Sequence, residues 1–375
     1  MSGDAATGLT VFRGRRVLVT GHTGFKGGWL AEWLLTLGAE VTGLALAPAT
    51  DPSLFDELGL ATRLEDHRGD VRVPETLARE VADAKPEMIF HLAAQAIVRA
   101  AYADPAPTFA TNVMGTVHLL DAVRISGRPC VVIVVTSDKC YEDRGLRQAY
   151  REDDPLGGHD PYSASKGAAE IAAASYRRSF FPPDRFRQHG VSVATVRAGN
   201  VIGGGDWSPD RIVPDIVKAL MAGQPARVRN PDAIRPWQHV LDALSGYLWL
   251  GALMLGDGGA GLAGPWNFGP DGDDATPVSK LTDQAIRVWG GGSWIDAREP
   301  HAVHEAGYLS LDVTKAAERL GWHPTWRVGE AIDATIAWYK AAARGAALDA
   351  FTREQIESFT IRARSAGLRW AGGAT

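Results

Sequence analysis

Cysteine is nearly absent, with only Cys130 and Cys140 in 375 residues. Two thiols make no disulfide framework, which excludes a stapled secreted scaffold and fits a reducing compartment. Strong charge of either sign is also lacking, since the formal net charge is -5. That balance lacks the basic footprint of a nucleic-acid binder, so no nucleic-acid partner is expected. Long apolar runs are missing too. The longest, "YLWLGALML" from Tyr247 to Leu255, is too short to span a bilayer and predicts a core helix. The opening "MSGDAATGLTVFRGR" has no apolar stretch of the signal-peptide kind. No membrane partner is expected, and the expected location is the cytoplasm. His91 and His239 have no ligand-spaced companions; they read as core histidines, and no metal is expected.

What is present is an ordinary globular balance, 45% hydrophobic and 22% charged, well able to fill a core. Short β-branched runs alternate with longer helical patterns. "RRVLVT" precedes a helix containing "GWLAEWLLTLG", in which Leu30, Trp33, Leu34 and Leu37 share a face and Gly38 ends the run. "EVTGLAL", "EMIFHLAA", "CVVIVVTS" and "VSVATVRAGN" follow as strands, with helices from about Thr111 and near Tyr162. Apolar strands separated by helices imply a parallel sheet covered on both faces. The predicted fold is α/β, a Rossmann-type doubly wound sheet over residues 1–200, with a return near 236–256. Residues 201–375 are predicted to form mainly a smaller, mixed α/β domain, because loop-rich stretches such as "GGGDWSPDR" there alternate with short helices.

"VTGHTGFKGGW" puts Gly21, Gly24 and Gly27 after the first strand and at the start of a helix. Glycines there let the turn form and bring backbone close to a pyrophosphate at the helix N-terminus. His22, Thr23 and Lys26 in that turn are candidates to meet phosphate or ribose. An acid at the end of the second strand, expected for a ribose diol, is missing from "VTGLALAP". The residues alone therefore leave NAD and NADP both open. Asp70, in "RGDVR" after the third strand, is a candidate acceptor for the adenine amino group, with a solvated loop acid as the alternative.

Two further constellations carry chemistry. In "DPYSASKGAAE", Tyr162 and Lys166 are four apart on a helix and share a face. An ammonium near a phenol favours the phenolate and suits it to proton transfer. In "VVTSDKCYED", Ser137, Asp138 and Lys139 stand in succession where an apolar strand stops. Strand ends are often polar because loops begin there, so these three residues alone leave a loop start and a proton-handling site both open.

Together "TGHTGFKG", "HLAAQ", "TNVMGT", "TSDKCY", "YSASK", "RAGNVIGGGDW", "RPWQHV", "WNFGP" and "YLSLDVTKAAERLGWHP" resemble the extended short-chain dehydrogenase/reductase superfamily. Within it the chain is most similar to the nucleotide-sugar 4,6-dehydratases, in particular the branch acting on CDP-glucose. That resemblance implies NAD as cofactor and CDP-glucose as substrate. It adds Phe25 and Ala93 to Gly21, His22, Thr23, Gly24, Lys26, Gly27, Asp70, Tyr162 and Lys166 as cofactor-binding residues. It makes Ser137, Tyr162 and Lys166 the set that oxidises C4, Asp138 the acid for the 6-hydroxyl, and Lys139 the base at C5. Related dTDP-glucose enzymes carry Glu at the position of Lys139. Asn200, Arg211, Arg235 and Asn267 match substrate-binding positions, whereas Trp207, Trp237 and Trp266 read as packing residues. The rivals are another sugar-nucleotide dehydratase, a 4-epimerase, and a dinucleotide sensor without catalysis. Relatives pair through the helices after "TNVMGT" and "YSASK", so a homodimer or dimer-based tetramer is expected.

Overall fold

The computed structural model describes residues 8–145, 148–272, 276–298 and 309–372. Its centre is a seven-stranded sheet of β1 (Arg16–Thr20), β2 (Glu40–Ala45), β3 (Glu65–Arg68), β4 (Met88–His91), β5 (Cys130–Val135), β6 (Val191–Arg197) and β7 (Pro265–Asn267). The spatial order is 3-2-1-4-5-6-7, and every neighbouring pair is parallel. Side chains alternate across the sheet because the strand period is two. Val17, Val19, Val131 and Ile133 enter one core, while Leu18, Val132 and Val134 enter the other.

Five helices cover the two faces. α1 (Phe25–Thr36) follows the glycine turn, and Gly38 reverses the chain with φ +80°. α2 (Pro74–Ala84), α3 (Gly115–Ser126) and α4 (Pro161–Ser179) lie on the opposite face. The helical stretch expected from about Thr111 begins earlier, at Pro105–Phe109, and passes through a wider turn at Ala110–Met114 into α3. Proline at the first helical position presets the backbone for that earlier start. α5 (Val240–Leu255) contains the "YLWLGALML" run, buried almost throughout beneath β5 and beside α1. Among the described residues no helix is long and apolar enough to cross a membrane.

Beyond residue 200 the strands are short pairs: Val201–Ile202 with Gln238–His239, Ala226–Val228 with Trp294–Asp296, and Ile234–Arg235 with Thr276–Pro277. Helices Ile212–Met221, Val278–Trp289 and Val328–Ala343 pack around them. The chain twice returns to the large sheet, through α5 and β7, before helix Leu348–Ser365 closes over α1. There Trp33 meets Phe359 and Trp370 edge-on at 5.9 and 5.8 Å. Strand order reverses between β1 and β4, opening a crevice at the carboxyl ends where ligands of such sheets bind.

Candidate active site

The glycine turn sits at that reversal. Gly21 has φ +78°, and a β-carbon on it would lie 2.7 Å from the Ala93 nitrogen, just beyond β4. A β-carbon on Gly27 would fall onto the Gly21 carbonyl. The bare backbone thus forms a tight cradle, and Gly24 caps α1 without a side chain over the first-turn N–H groups. Such a cradle fits a dinucleotide pyrophosphate. Phe25 opens α1, and its ring lies against Gly203.

Two of the turn's polar residues are occupied elsewhere. The His22 ring is buried against Gly43, and its Nε2 lies 2.8 Å from Asp66 Oδ1 on β3. Burial lowers its pKa, with Asp66 opposing. The sequence expectation for His22 is corrected on this ground: a non-local acid takes the imidazole inward. Thr23 Oγ1 donates to the Leu46 carbonyl at 3.1 Å, tying the turn to the end of β2. Lys26 instead reaches the main cavity, where burial first and then the Arg211 charge lower its pKa to about 7. Asp70 is gripped by Arg72 at 2.8 and 2.6 Å, which holds its carboxyl below the usual range.

β5 ends at Val135, and two residues later a tight turn, Asp138–Cys140, begins with Ser137 as its cap; Ser137, Asp138 and Lys139 are the three candidate proton-handling groups. Ser137 Oγ accepts from the Lys139 amide at 3.2 Å and donates to Asp138 Oδ1 at 2.9 Å. Lys139 Nζ stands 3.5 Å from the same oxygen, with its side chain one-third exposed (33%). Asp138 is buried, and its Oδ2 has no hydrogen-bond partner among the described residues. Across from it, a β-carbon on Gly199 would occupy the carboxyl's own place.

Tyr162 and Lys166 face this turn from α4, whose start is fixed by Asp160 accepting from the Ser163 amide at 3.0 Å. Both are buried. Burial raises the Tyr162 pKa, opposed first by the Lys139 charge and then by a hydrogen bond with Ser137. Lys166 Nζ donates to the Val135 carbonyl at 3.3 Å, and burial lowers its pKa to about 8. The cation that acts most on the phenol is therefore Lys139, since Lys166 is turned toward the end of β5.

These groups open on a cavity of about 590 Å³ whose wall includes Lys26, Ser137, Asp138, Lys139, Tyr162, Asn200, Arg211 and Arg235. Asn200 adopts φ +45°, and its buried Oδ1 has no partner among the described residues. Arg211 is held by Asp206 at 2.7 Å. Arg235 donates to the Ile234 carbonyl at 3.0 Å. Asn267 corrects a further expectation, because it lies outside this wall. It is fully buried and accepts from the Tyr141 hydroxyl at 2.7 Å while donating to the Tyr150 carbonyl at 2.9 Å. Its amide is consumed inside the protein, so it holds structure rather than substrate.

Trp207, Trp237 and Trp266 are buried, with indole N–H groups bonded to Glu57, Thr276 and Leu262; Trp237 also borders the cavity. His91 and His239 are core residues bonded through Nδ1 to the Thr20 hydroxyl and the Leu241 amide. Among the described residues no three His, Cys, Asp or Glu side chains gather as a metal site. Arg99, Asp206, Asp210 and Arg229 at the cavity, and Glu170 with Arg197 behind it, escaped sequence reasoning. Single charges acquire meaning only through distant partners; Asp206 alone had a local signal, inside "GGGDW".

The chain is 48% identical over 349 residues to CDP-glucose 4,6-dehydratase of Salmonella typhimurium, covering 93% of this chain and 97% of that protein. It is 30% identical to a dTDP-glucose 4,6-dehydratase of Actinoplanes, covering 87% and 98% of the two chains. A dTDP-glucose 4,6-dehydratase of Streptomyces venezuelae solved with NAD bound superposes with a TM-score of 0.72 at 25% identity, covering 88% of this chain and 98% of that one. Residues 17–255 match the family described as NAD dependent epimerase/dehydratase, and the chain belongs to that family.

Proposed function

We propose that the protein converts CDP-glucose to CDP-4-keto-6-deoxyglucose. The observation that carries this reading is the Asp138–Lys139 pair on the same turn as Ser137, facing Tyr162. A 4-epimerase needs no such additional acid and base. The 48% identical relative named CDP-glucose 4,6-dehydratase supports the choice of nucleotide.

The glycine cradle from Gly21 to Gly27, with Ala93, Asp70 and Lys166, would hold NAD. Bound NAD supplies the acceptor for hydride from C4 and its donor to C6, so the cycle is redox-neutral. The protein handles the protons. Ser137 binds the 4-hydroxyl and Tyr162 takes its proton. The resulting C4 ketone acidifies the C5–H bond. Lys139 as free amine removes that proton, Asp138 protonates the departing 6-hydroxyl, which leaves as water, and the Lys139 ammonium then returns a proton to C5. Arg211 and Arg235 suit the diphosphate because a guanidinium donates in pairs, and Asn200 offers its unpartnered amide oxygen to the sugar side.

Incubation with CDP-, dTDP-, UDP- and GDP-glucose, followed by product mass, tests the reading. Loss of one water is expected with CDP-glucose far faster than with the others. Deuterium at C4 should reappear at C6 of the product. A preference for dTDP-glucose overturns the nucleotide assignment, and label released to solvent overturns the internal transfer. A homodimer through α3 and α4 accompanies this proposal, supported by Ile125 and Ile171 standing exposed on those helices; light scattering on the purified protein measures it.

A further inference from the structure

Behind the cavity, Glu170 and Arg197 form an ion pair in which both side chains are almost wholly buried, at 3% and 2% exposure. Such a pair is weak evidence for stability, because removing two charges from water costs about as much as their attraction returns. Its remaining hydrogen bonds show what else it holds. Glu170 lies one helical turn beyond Lys166 on α4. Its oxygens accept from the Thr136 hydroxyl at 2.5 Å and the Thr195 hydroxyl at 2.7 Å. Arg197 binds Glu170 in a two-pronged fashion, through Nε and Nη2 at 2.9 Å each. Its Nη1 donates to the Tyr141 hydroxyl at 2.6 Å, and that hydroxyl donates to Asn267. Thr136 directly precedes Ser137, and Tyr141 directly follows Cys140.

We infer that the Glu170–Arg197 pair is a positioning frame that grips the catalytic turn at its entrance and exit and fixes it against the helix of Tyr162 and Lys166. The frame gives Asn267 a place as the outer anchor of Tyr141. Its kinetic consequence rests on the dehydration proposed above. Removing either grip lets the turn shift relative to α4, and small displacements of reacting groups cost rate far more than binding.

Thr136→Val and Tyr141→Phe each remove one hydroxyl and leave the charged pair in place. Each should lower kcat about 10-fold or more with KM changed less than about twofold. In the protein without substrate, amide hydrogen exchange over residues 137–141 should accelerate while β5 and α4 keep their protection. Thr136→Ser restores the donor and should restore both readouts. Parental kcat in both variants, or a loss that Thr136→Ser does not restore, overturns the frame. Absence of turnover in the parent overturns the dehydration reading instead; the exchange measurement still decides the frame, and unchanged exchange in both variants overturns it.

Discussion

Gly199 faces Asp138 so closely that one added carbon decides where the carboxyl sits. Gly199→Ala should displace the Asp138 carboxyl and free the Ser137 hydroxyl that donates to it, while leaving Tyr162 in place. We expect water loss to fall about 10-fold or more, with the 4-keto sugar still forming in a quenched single turnover. Equal loss of both steps would show that Gly199 supports the whole turn. Lys139→Met keeps the length of the side chain and removes its nitrogen. Oxidation at C4 should persist at a reduced rate, since the charge that most favours the Tyr162 phenolate is lost, and C5–H exchange with deuterated solvent should fall further, about 100-fold or more. Lys139→Glu should recover part of the dehydration, and rapid exchange in the Met variant would place the base elsewhere. Ser137, Asp138, Lys139, Tyr162 and Lys166 were legible because motif spacing puts them on one turn and one helix face. His22 and Asn267 were not. A polar side chain turns inward or outward according to partners far along the chain, here Asp66 for one and Tyr141 for the other.

Elements with a long periodic signal were equally legible. α1 ends where Leu37 and Gly38 suggest, and the apolar run after Tyr247 is a buried helix. The two-residue strands beyond residue 200 carry no period at all; pairing partners define them. α5 shows how such an element joins the small lobe. In its first turn Asp242 Oδ1 accepts from the Thr325 amide at 2.6 Å, while Oδ2 is buried with no partner among the described residues. Burial, partly opposed by the Thr325 and Trp326 amides, pushes its pKa up to about 7. In the unfolded chain an aspartate titrates near about 3.9. Between those values the folded protein binds the extra proton, so this group's contribution to stability falls as pH rises from about 4 through 7 and is flat above. The slope is at most about 1.4 kcal/mol per pH unit. Asp242→Asn should flatten that decline, read as urea midpoints between pH 5 and 8. An unchanged slope would assign it to other groups.

The large sheet is not built from one consecutive length of chain. Residues 1–200 contain six of the seven sheet strands, yet β6 is flanked by β7, and β5 is covered by α5. Both of these arrive after residue 200. A fragment of residues 1–200 should therefore expose one apolar face and an unpaired edge, the arrangement that invites association. We expect it to lack cooperative unfolding and to scatter light, whereas the full chain melts in a single step. A soluble, cooperatively folding fragment would show that the first six strands suffice.

That same late strand sets a clock during synthesis. Once Arg197 has left the ribosome, roughly 70 more residues must follow before Asn267 can pair beside it, several seconds at about 5–20 residues per second. Throughout that interval the growing polypeptide carries a finished strand edge with nothing to pair to it. Any pause in translation after residue 197 lengthens that exposure.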